Sequence, residues 1–330
     1  MNIIEIARLA GVSKSTVSRY LNEGYVSDES RDKIQKVMDE TGFVPKRHAQ
    51  SMRTNKSHLI AVIVPKISTE TASAVIEGIT AKIAEEGYEL IIANTNLSTE
   101  KEKDYLNLFK TNYVDGIIFM ATQLDDDHLR LMEQLEVPIV VAAQKVEGYS
   151  YVTNANYEAA KEAVSYIISN HHHRIGFIGV SEDDEAVGID RKKGYLDALK
   201  EANIKKEDQL ITMGDFSIES GNKLAQQLMS QENKPTAIFA ATDHLAIGAI
   251  DYLKSAGYDV PKDVAVMGIG DSRISSFVTP KLTTISYPYH ELGMTCADVL
   301  LDSMKQPIQE SKKNVSHFIL GYRLIERDSV

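Results

Sequence analysis

Tryptophan is missing from this 330-residue sequence, and cysteine occurs only once. Without a second cysteine no internal disulfide framework can form, and Cys296 fits a reducing compartment. Its neighbours supply no catalytic context, so it reads as an ordinary helix residue. Without an indole, any stacking on a ligand must come from Tyr or Phe, with Tyr149, Tyr151, Phe277 and Tyr287 as candidates. No apolar run approaches the ~20 residues that span a bilayer; the longest, such as Leu59 to Pro65, have strand length. Glu5 and Arg8 interrupt the apolar residues of the N-terminus, so a signal-peptide pattern is lacking and a cytoplasmic protein without a membrane partner is expected. Neither a Walker sequence nor a nucleophile elbow occurs, and Gly268-Ile269-Gly270 lacks the third glycine of a dinucleotide fingerprint. Three adjacent histidines, His171 to His173, point in different directions in any regular backbone and have no second ligand cluster nearby in sequence. The acidic runs Asp125-Asp126-Asp127 and Glu182-Asp183-Asp184-Glu185 read as solvated loop or helix-start charge. No enzyme, cofactor or metal site is therefore expected.

What is present is unevenly distributed. The formal net charge is −11, which argues against a nucleic-acid partner for the chain taken whole. Residues 1–58, however, hold ten Lys/Arg against seven Asp/Glu, a net of +3. The remaining 26 basic and 40 acidic residues leave the rest at −14. A small basic module on an acidic body is the pattern this describes, the body resisting indiscriminate adhesion to DNA.

Within the basic segment, Ile3, Ile6, Ala7 and Ala10 share one helical face, and Gly11 follows where a tight turn needs a permissive backbone. Ser13 is placed to cap a second helix through Leu21. Val17, Tyr20 and Leu21 would face a small core, leaving Lys14, Ser15, Ser18 and Arg19 outward near the helix start, where base edges are reached. Ser27 to Glu40 reads as a third helix capped by Ser27, with Asp28 and Glu29 in its first turn. This is a helix-turn-helix, whose second helix enters the major groove of DNA, although an amphipathic helix pair alone would serve protein binding equally well.

From Leu59 onward, apolar runs alternate with amphipathic stretches. Leu59–Pro65, Tyr88–Asn94, Val114–Met120 and Val137–Ala143 read as buried parallel strands, separated by helices over Ala72–Gly87, Glu100–Thr111 and Asp125–Glu136. A second series follows in Arg174–Val180, Thr236–Thr242, Val264–Gly268 and Leu282–Tyr287, with helices over Gly188–Ala202, Ser217–Gln231 and Leu245–Gly257. Two such series predict two similar α/β lobes with a ligand between them, near the carboxyl ends of the strands.

The run Ile4-Glu5-Ile6-Ala7, Ala10-Gly11-Val12-Ser13, Thr16-Val17-Ser18-Arg19 and Leu21-Asn22 resembles the headpiece of the lactose-repressor/galactose-repressor (LacI/GalR) family. So does Gly42-Phe43-Val44-Pro45 followed by Ala49-Gln50-Ser51-Met52-Arg53, and the resemblance covers essentially the whole chain. It is greatest toward the sucrose-operon repressor branch of Gram-positive bacteria, through Ser13 to Arg19, Val187 to Gly194 and Ser275 to Pro280. The resemblance implies two doubly wound parallel-sheet lobes of periplasmic-binding-protein type, joined by three crossings, behind an all-α helix-turn-helix domain. The expected boundaries are 1–58 for the headpiece, with a hinge helix at about 45–54, and 59–330 for the effector-binding and dimerisation domain. The first lobe is expected at about 59–157 and 289–315, the second at 158–288 and 316–330. Lys14 and Ser15 stand at the family's discriminating positions, and Met52 at the wedge that pries apart the central base step in the minor groove, where Leu is usual. With Thr16, Ser18, Arg19, Asn22 and Ala49 they form the expected DNA-binding set. The resemblance also implies Arg191, Asp243, Asn156 and Gln144 as effector contacts. No apolar heptads follow the family-like end Leu324 to Ser329, so a homodimer is expected.

Two departures stand out. Thr71 and Ala72 occupy positions where many relatives have an aromatic pair, and Gly270 replaces the first carboxylate of the late Gly-x-Asp-Asp turn. Both disfavour a purine ligand. The expectation is a repressor of a carbohydrate-utilisation operon, bound to double-stranded operator DNA and controlled by a small sugar or sugar phosphate, sucrose included. A catabolite-control regulator strengthened by a phosphorylated carrier protein, and a sugar-binding transport protein, are the rival readings.

Overall fold

Asn2 opens the first helix, α1 (Ile3–Ala10), by accepting the Ile4 and Glu5 N–H groups on its side chain, while Glu5 accepts from the Asn2 N–H. This capping box is worth about 1 kcal/mol. The computed structural model describes residues 1–21, 24–43, 56–110, 114–121 and 123–330, in two units, Met1–His58 and Leu59–Val330. In the first unit Gly11 ends α1 in the left-handed region (φ 67°), as a tight turn requires. Ser13 Oγ then accepts from the Thr16 N–H at 3.0 Å to start α2 (Lys14–Leu21), and Ser27 caps α3 (Asp28–Thr41). Ile6, Ala7, Ala10, Val17 and Ile34 are buried among Ile3, Val12, Tyr20, Leu21, Val37, Met38 and Phe43. Burying each of the larger aliphatics contributes about 1.5–3 kcal/mol, enough to hold three short helices together. The expected hinge helix lies outside the described residues.

The second unit holds two sheets of matching design. The first contains β1 (Leu59–Val64), β2 (Glu89–Asn94), β3 (Gly116–Phe119), β4 (Ile139–Ala142), β5 (Ser150–Asn154) and β11 (His317–Leu320), all parallel, in the order β11-β5-β4-β3-β1-β2. The second contains β6 (Ile175–Val180), β7 (Ile211–Gly214), β8 (Ala237–Ala240), β9 (Ala265–Ile269), β10 (Thr283–Ser286) and β12 (Arg323–Ile325), in the order β12-β10-β9-β8-β6-β7. Only β12 runs antiparallel, against β10. Helices α4 (Glu70–Glu85), α5 (Thr99–Phe109), α6 (Asp126–Glu133) and α11 (Tyr289–Ser303) belong with the first sheet. Helices α7 (Asn156–Ser169), α8 (Arg191–Glu201), α9 (Ile218–Met229) and α10 (Asp243–Ser255) belong with the second. Covered on both faces, the central strands are buried but for a half-buried first residue in β1 and β4, which is why β1 reads as an unbroken apolar run. Cys296 sits in this core on α11, where burial pushes its thiol up.

The lobes exchange chain three times, between β5 and α7, between β10 and α11, and between β11 and β12. The last crossing differs from expectation. Instead of lying wholly in the second lobe, residues 316–330 are divided: His317–Leu320 pairs with β5 in the first sheet, and the chain changes lobe at Gly321-Tyr322. A four-residue edge strand with three exposed side chains carries too little apolar pattern to be assigned to a sheet by sequence. The same weakness hides β7, an edge strand of half-buried residues, whereas β5 is buried but spells Ser150, Thr153 and Asn154 among its five residues.

Helix pairs in both lobes approach backbone to backbone. A Cβ on Gly78 would lie 2.0 Å from the His290 carbonyl oxygen, and one on Gly293 would lie 2.1 Å from that of Val75, so α4 and α11 can meet only through glycine. Gly221 and Gly248 make the same reciprocal seam between α9 and α10. Gly293→Ala is therefore expected to lower the urea midpoint, costing about 1–3 kcal/mol from overpacking. Gly321→Ala, which meets nothing within 4 Å, is expected to stay within about 0.5 kcal/mol of the parent.

Candidate functional site

In the headpiece, α2 presents Lys14, Ser15 and Arg19 to solvent, with Thr16 and Ser18 half-buried. The Ser13 hydroxyl lies 2.7 Å from that of Ser15 and 2.8 Å from that of Thr16, so the cap also orders the first turn of the outward face. Gly24 leaves room for the Arg19 stem, since a Cβ there would come within 2.7 Å of it. Tyr20 donates to Gln35, and Arg31 lies over its ring at 5.7 Å, which ties α2 to α3. Lys14, Ser15, Thr16, Ser18 and Arg19 thus share one ordered helix. Asn22, Ala49 and Met52 lie outside the described residues.

In the second unit the strand order places the reversal of winding between β1 and β3 in one sheet and between β6 and β8 in the other, the positions where doubly wound sheets open a crevice. The loop after β6 leads into a π-helical turn, Glu185–Asp190, capped by Asp184, which hands directly to Arg191 at the start of α8. Such turns are rare and concentrate at functional positions. Gly188 makes this one possible, because a Cβ there would lie 2.1 Å from the Ser181 carbonyl oxygen.

Arg191 is buried at the crossings. Its Nε and Nη2 donate to Asn156 Oδ1 at 3.0 and 2.8 Å, and Nη1 donates to the Ala241 carbonyl at 2.5 Å. Tyr287 donates to the same Asn156 oxygen at 3.3 Å, and the guanidinium carbon lies 5.4 Å from the Tyr287 ring centre. Tyr289, just past the second crossing, meets Tyr287 edge-on with ring centres 5.8 Å apart. Burial pushes both phenols up, while the nearby guanidinium opposes the rise. Tyr322, from the third crossing, meets Tyr287 edge-on at 6.5 Å.

The other expected residues divide. Asn156 belongs to the Arg191 cluster. Asp243 is buried, with Oδ2 accepting from the Ser272 N–H at 2.6 Å and Oδ1 from the Thr284 hydroxyl at 2.5 Å, so its carboxylate ties α10 to the segment between β9 and β10. Burial pushes that carboxyl up, and the two hydrogen bonds pull against it. Gln144 is buried at the end of β4 and donates to the Ala121 carbonyl, apart from the Arg191 cluster. Of the four stacking candidates only Tyr287 stands at the crossings: Tyr151 stacks on His317 at the sheet edge, Tyr149 donates to Leu129, and Phe277 is exposed. Tyr289 was missed, although Pro288 between two tyrosines at a strand end marked the place. Among the described residues, Lys145 Nζ reaches Asp190 of the other lobe at 3.0 Å, and the Arg273 N–H reaches Glu70 at 2.6 Å. Among the described residues Asn154 Oδ1 and Ser272 Oγ are buried without a hydrogen-bond partner. His172 bonds Thr236, and no cluster among the described residues could hold a metal ion.

Comparison with known proteins fits both halves of this description. Residues 2–46 match the family model of bacterial regulatory proteins of the lacI family, and residues 164–330 match that of the periplasmic binding protein-like domain. The HTH-type transcriptional regulator RegA of Clostridium saccharobutylicum is 31% identical, over 99% of this chain and 98% of its own. The chain belongs to the lacI family of bacterial regulatory proteins. Another member of the family, the sucrose operon repressor of Staphylococcus xylosus, is 32% identical, over 98% of this chain and 97% of its own. The solved complex of the transcriptional regulator CelR with cellobiose superposes with a TM-score of 0.77 at 26% identity, both chains covered fully. No helix among the described residues is long and apolar enough to cross a membrane.

Asn156→Ala would strand two guanidinium N–H groups and the Tyr287 hydroxyl in a buried setting. It is expected to cost about 2–3 kcal/mol in urea titrations, against about 1 kcal/mol for Tyr287→Phe, which removes a donor and leaves the acceptor served.

Proposed function

We propose that this protein represses a carbohydrate-utilisation operon, its hold on operator DNA set by a small sugar-type effector bound between the lobes at Arg191. The observation that carries the reading is the pairing of two things in one family member: a basic helix-turn-helix with Lys14, Ser15 and Arg19 outward, and a buried arginine where all three lobe crossings converge. Arg191 is the ligand contact in this reading. Asn156 and Asp243 act beside it, the first orienting the guanidinium and the second fixing the loop after β9. Two copies, as expected of a homodimer, would place two α2 helices on the half-sites of a pseudo-palindrome. The effector acts only through a difference in its affinity for the two lobe arrangements, and a coupling of about 1–3 kcal/mol corresponds to an approximately 5–150-fold change in operator affinity. The family relatives named above are described by a sucrose operon and by bound cellobiose, which favours a carbohydrate ligand.

Gel-shift titration of the full-length protein on its own promoter fragment tests this. Retardation at physiological salt that exceeds random duplex, and that a sugar or sugar derivative alters at least ~5-fold, is the expected result. No preference over random duplex would overturn the reading. Arg191→Ala is expected to abolish the effector-dependent change. Lys14→Ala is expected to alter sequence preference in a binding-site selection; an even loss over all sequences would instead assign Lys14 to a phosphate.

A further inference from the structure

The loop between β4 and β5 is held in a costly shape. Ala143 stands in the left-handed region at φ 68°, where residues with a Cβ are uncommon. Its N–H donates to the Val152 carbonyl at 2.8 Å, and the Thr153 hydroxyl donates to the Ala143 carbonyl at 3.1 Å. On the far side, the Gln144 amide donates to the Ala121 carbonyl, and Val146 is buried in the core of the first lobe. Lys145 is the residue left between these anchors, and its side chain leaves the lobe that carries it. Its Nζ lies 3.0 Å from Asp190 Oδ2 of the second lobe. Asp190 is the last residue of the π turn and directly precedes Arg191.

Lys145 does not face Asp190 alone. Burial pulls its ammonium down, but Asp190, Glu185 of the same turn and Glu158 of α7 outweigh that and hold it above the usual lysine value. Asp184, which caps the other end of the turn, feels the charge of Arg191. The π turn is thus tied to a cation at each end, one of them supplied by the opposite lobe. With the lysine 41% and the aspartate 17% exposed, the pair is partly screened and weaker than a buried one. The bond from the Arg273 N–H to Glu70 also crosses between the lobes, so loss of Lys145 loosens them without parting them. A pair with one member on each lobe forms only where the loop meets the turn. It therefore favours the lobe arrangement of this structure over any that draws the two apart.

We propose that Lys145 is a positioning residue of the effector response: from the first lobe it holds Asp190, and with it the end of the π turn that carries Arg191, so that its charge sets the balance between lobe arrangements. The inference rests on reading the cleft as an effector site. Two measurements on the full-length protein without added ligand test it. Pulsed-EPR distances are taken between nitroxides on Glu100→Cys of the first lobe and Glu232→Cys of the second, both exposed positions, with labelled chains diluted into unlabelled ones. Operator affinity is taken by gel shift on the promoter fragment. Lys145→Met is expected to shift the distance distribution and to change operator affinity about 2–5-fold. Lys145→Glu, which sets like charge against three carboxylates, is expected to move both further in the same direction, and Lys145→Arg to match the parent. In about 1 M salt the distance differences are expected to shrink, because screening then acts within roughly 3 Å. A lysine stem that only packs would be replaced by Met without effect and would not rank the variants by charge. Distances that coincide in all four proteins, or that follow side-chain size instead of charge, overturn the inference. So does an unchanged operator affinity in Lys145→Glu when the parent prefers its promoter. A parent without that preference would sink the repressor reading, and the distances would still decide the role of Lys145.

Discussion

One amide oxygen organises the effector half of this protein. Asn156 Oδ1 accepts from Arg191 twice and from Tyr287 once. Asn156 begins α7 just after the first crossing, Tyr287 lies in the second, and the Tyr287 ring carries the edge contact from Tyr322 in the third. A guanidinium placed there is held by the connectors that any rotation of one lobe against the other must bend. A ligand that pulls on Arg191 therefore acts on the joints of the molecule and not on one wall of a cleft, provided it binds one lobe arrangement better than the other.

Around that joint the two lobes are equivalent in plan and unequal in detail. Both sheets wind in the same order, but only the second supplies the π turn, the arginine and the buried Asp243 that pins the loop after β9. The first contributes Glu70 and Lys145, polar groups that reach across. Charge is partitioned just as unevenly along the chain. A body with a net of −14 repels phosphate, which leaves DNA contact to a headpiece of +3.

How much of this could be read in advance followed from local physics. Ser13, Gly11 and Ser27 do their work within three residues, so the caps and the turn were legible. The covered strands β1, β3, β6 and β8 were legible because burial on both faces writes an apolar run. Strand β11 was not, since an edge strand with Phe318 and Ile319 in solvent resembles a loop. The π turn has no sequence period of its own, and the expected single helix from Gly188 to Ala202 ran through it. Family resemblance pointed to Arg191, but its partners lie 35 and 50 residues away, and only the fold could bring them together. The same distance explains Asp243, whose position at a strand end was visible while its commitment to Ser272 and Thr284 was not.

The interlacing of the lobes bears on how the chain folds. The first sheet is covered by Leu292, Cys296, Ala297 and Leu300 of α11 and gains its edge from His317–Leu320. The second is edged by Arg323–Ile325 and sealed by Ser329, which bonds Val266 and Thr283. Neither lobe has all its parts until residues 317–329 have joined both sheets. The headpiece draws its core from residues 3–43 alone, so a basic DNA-reading module can form without any part of either lobe.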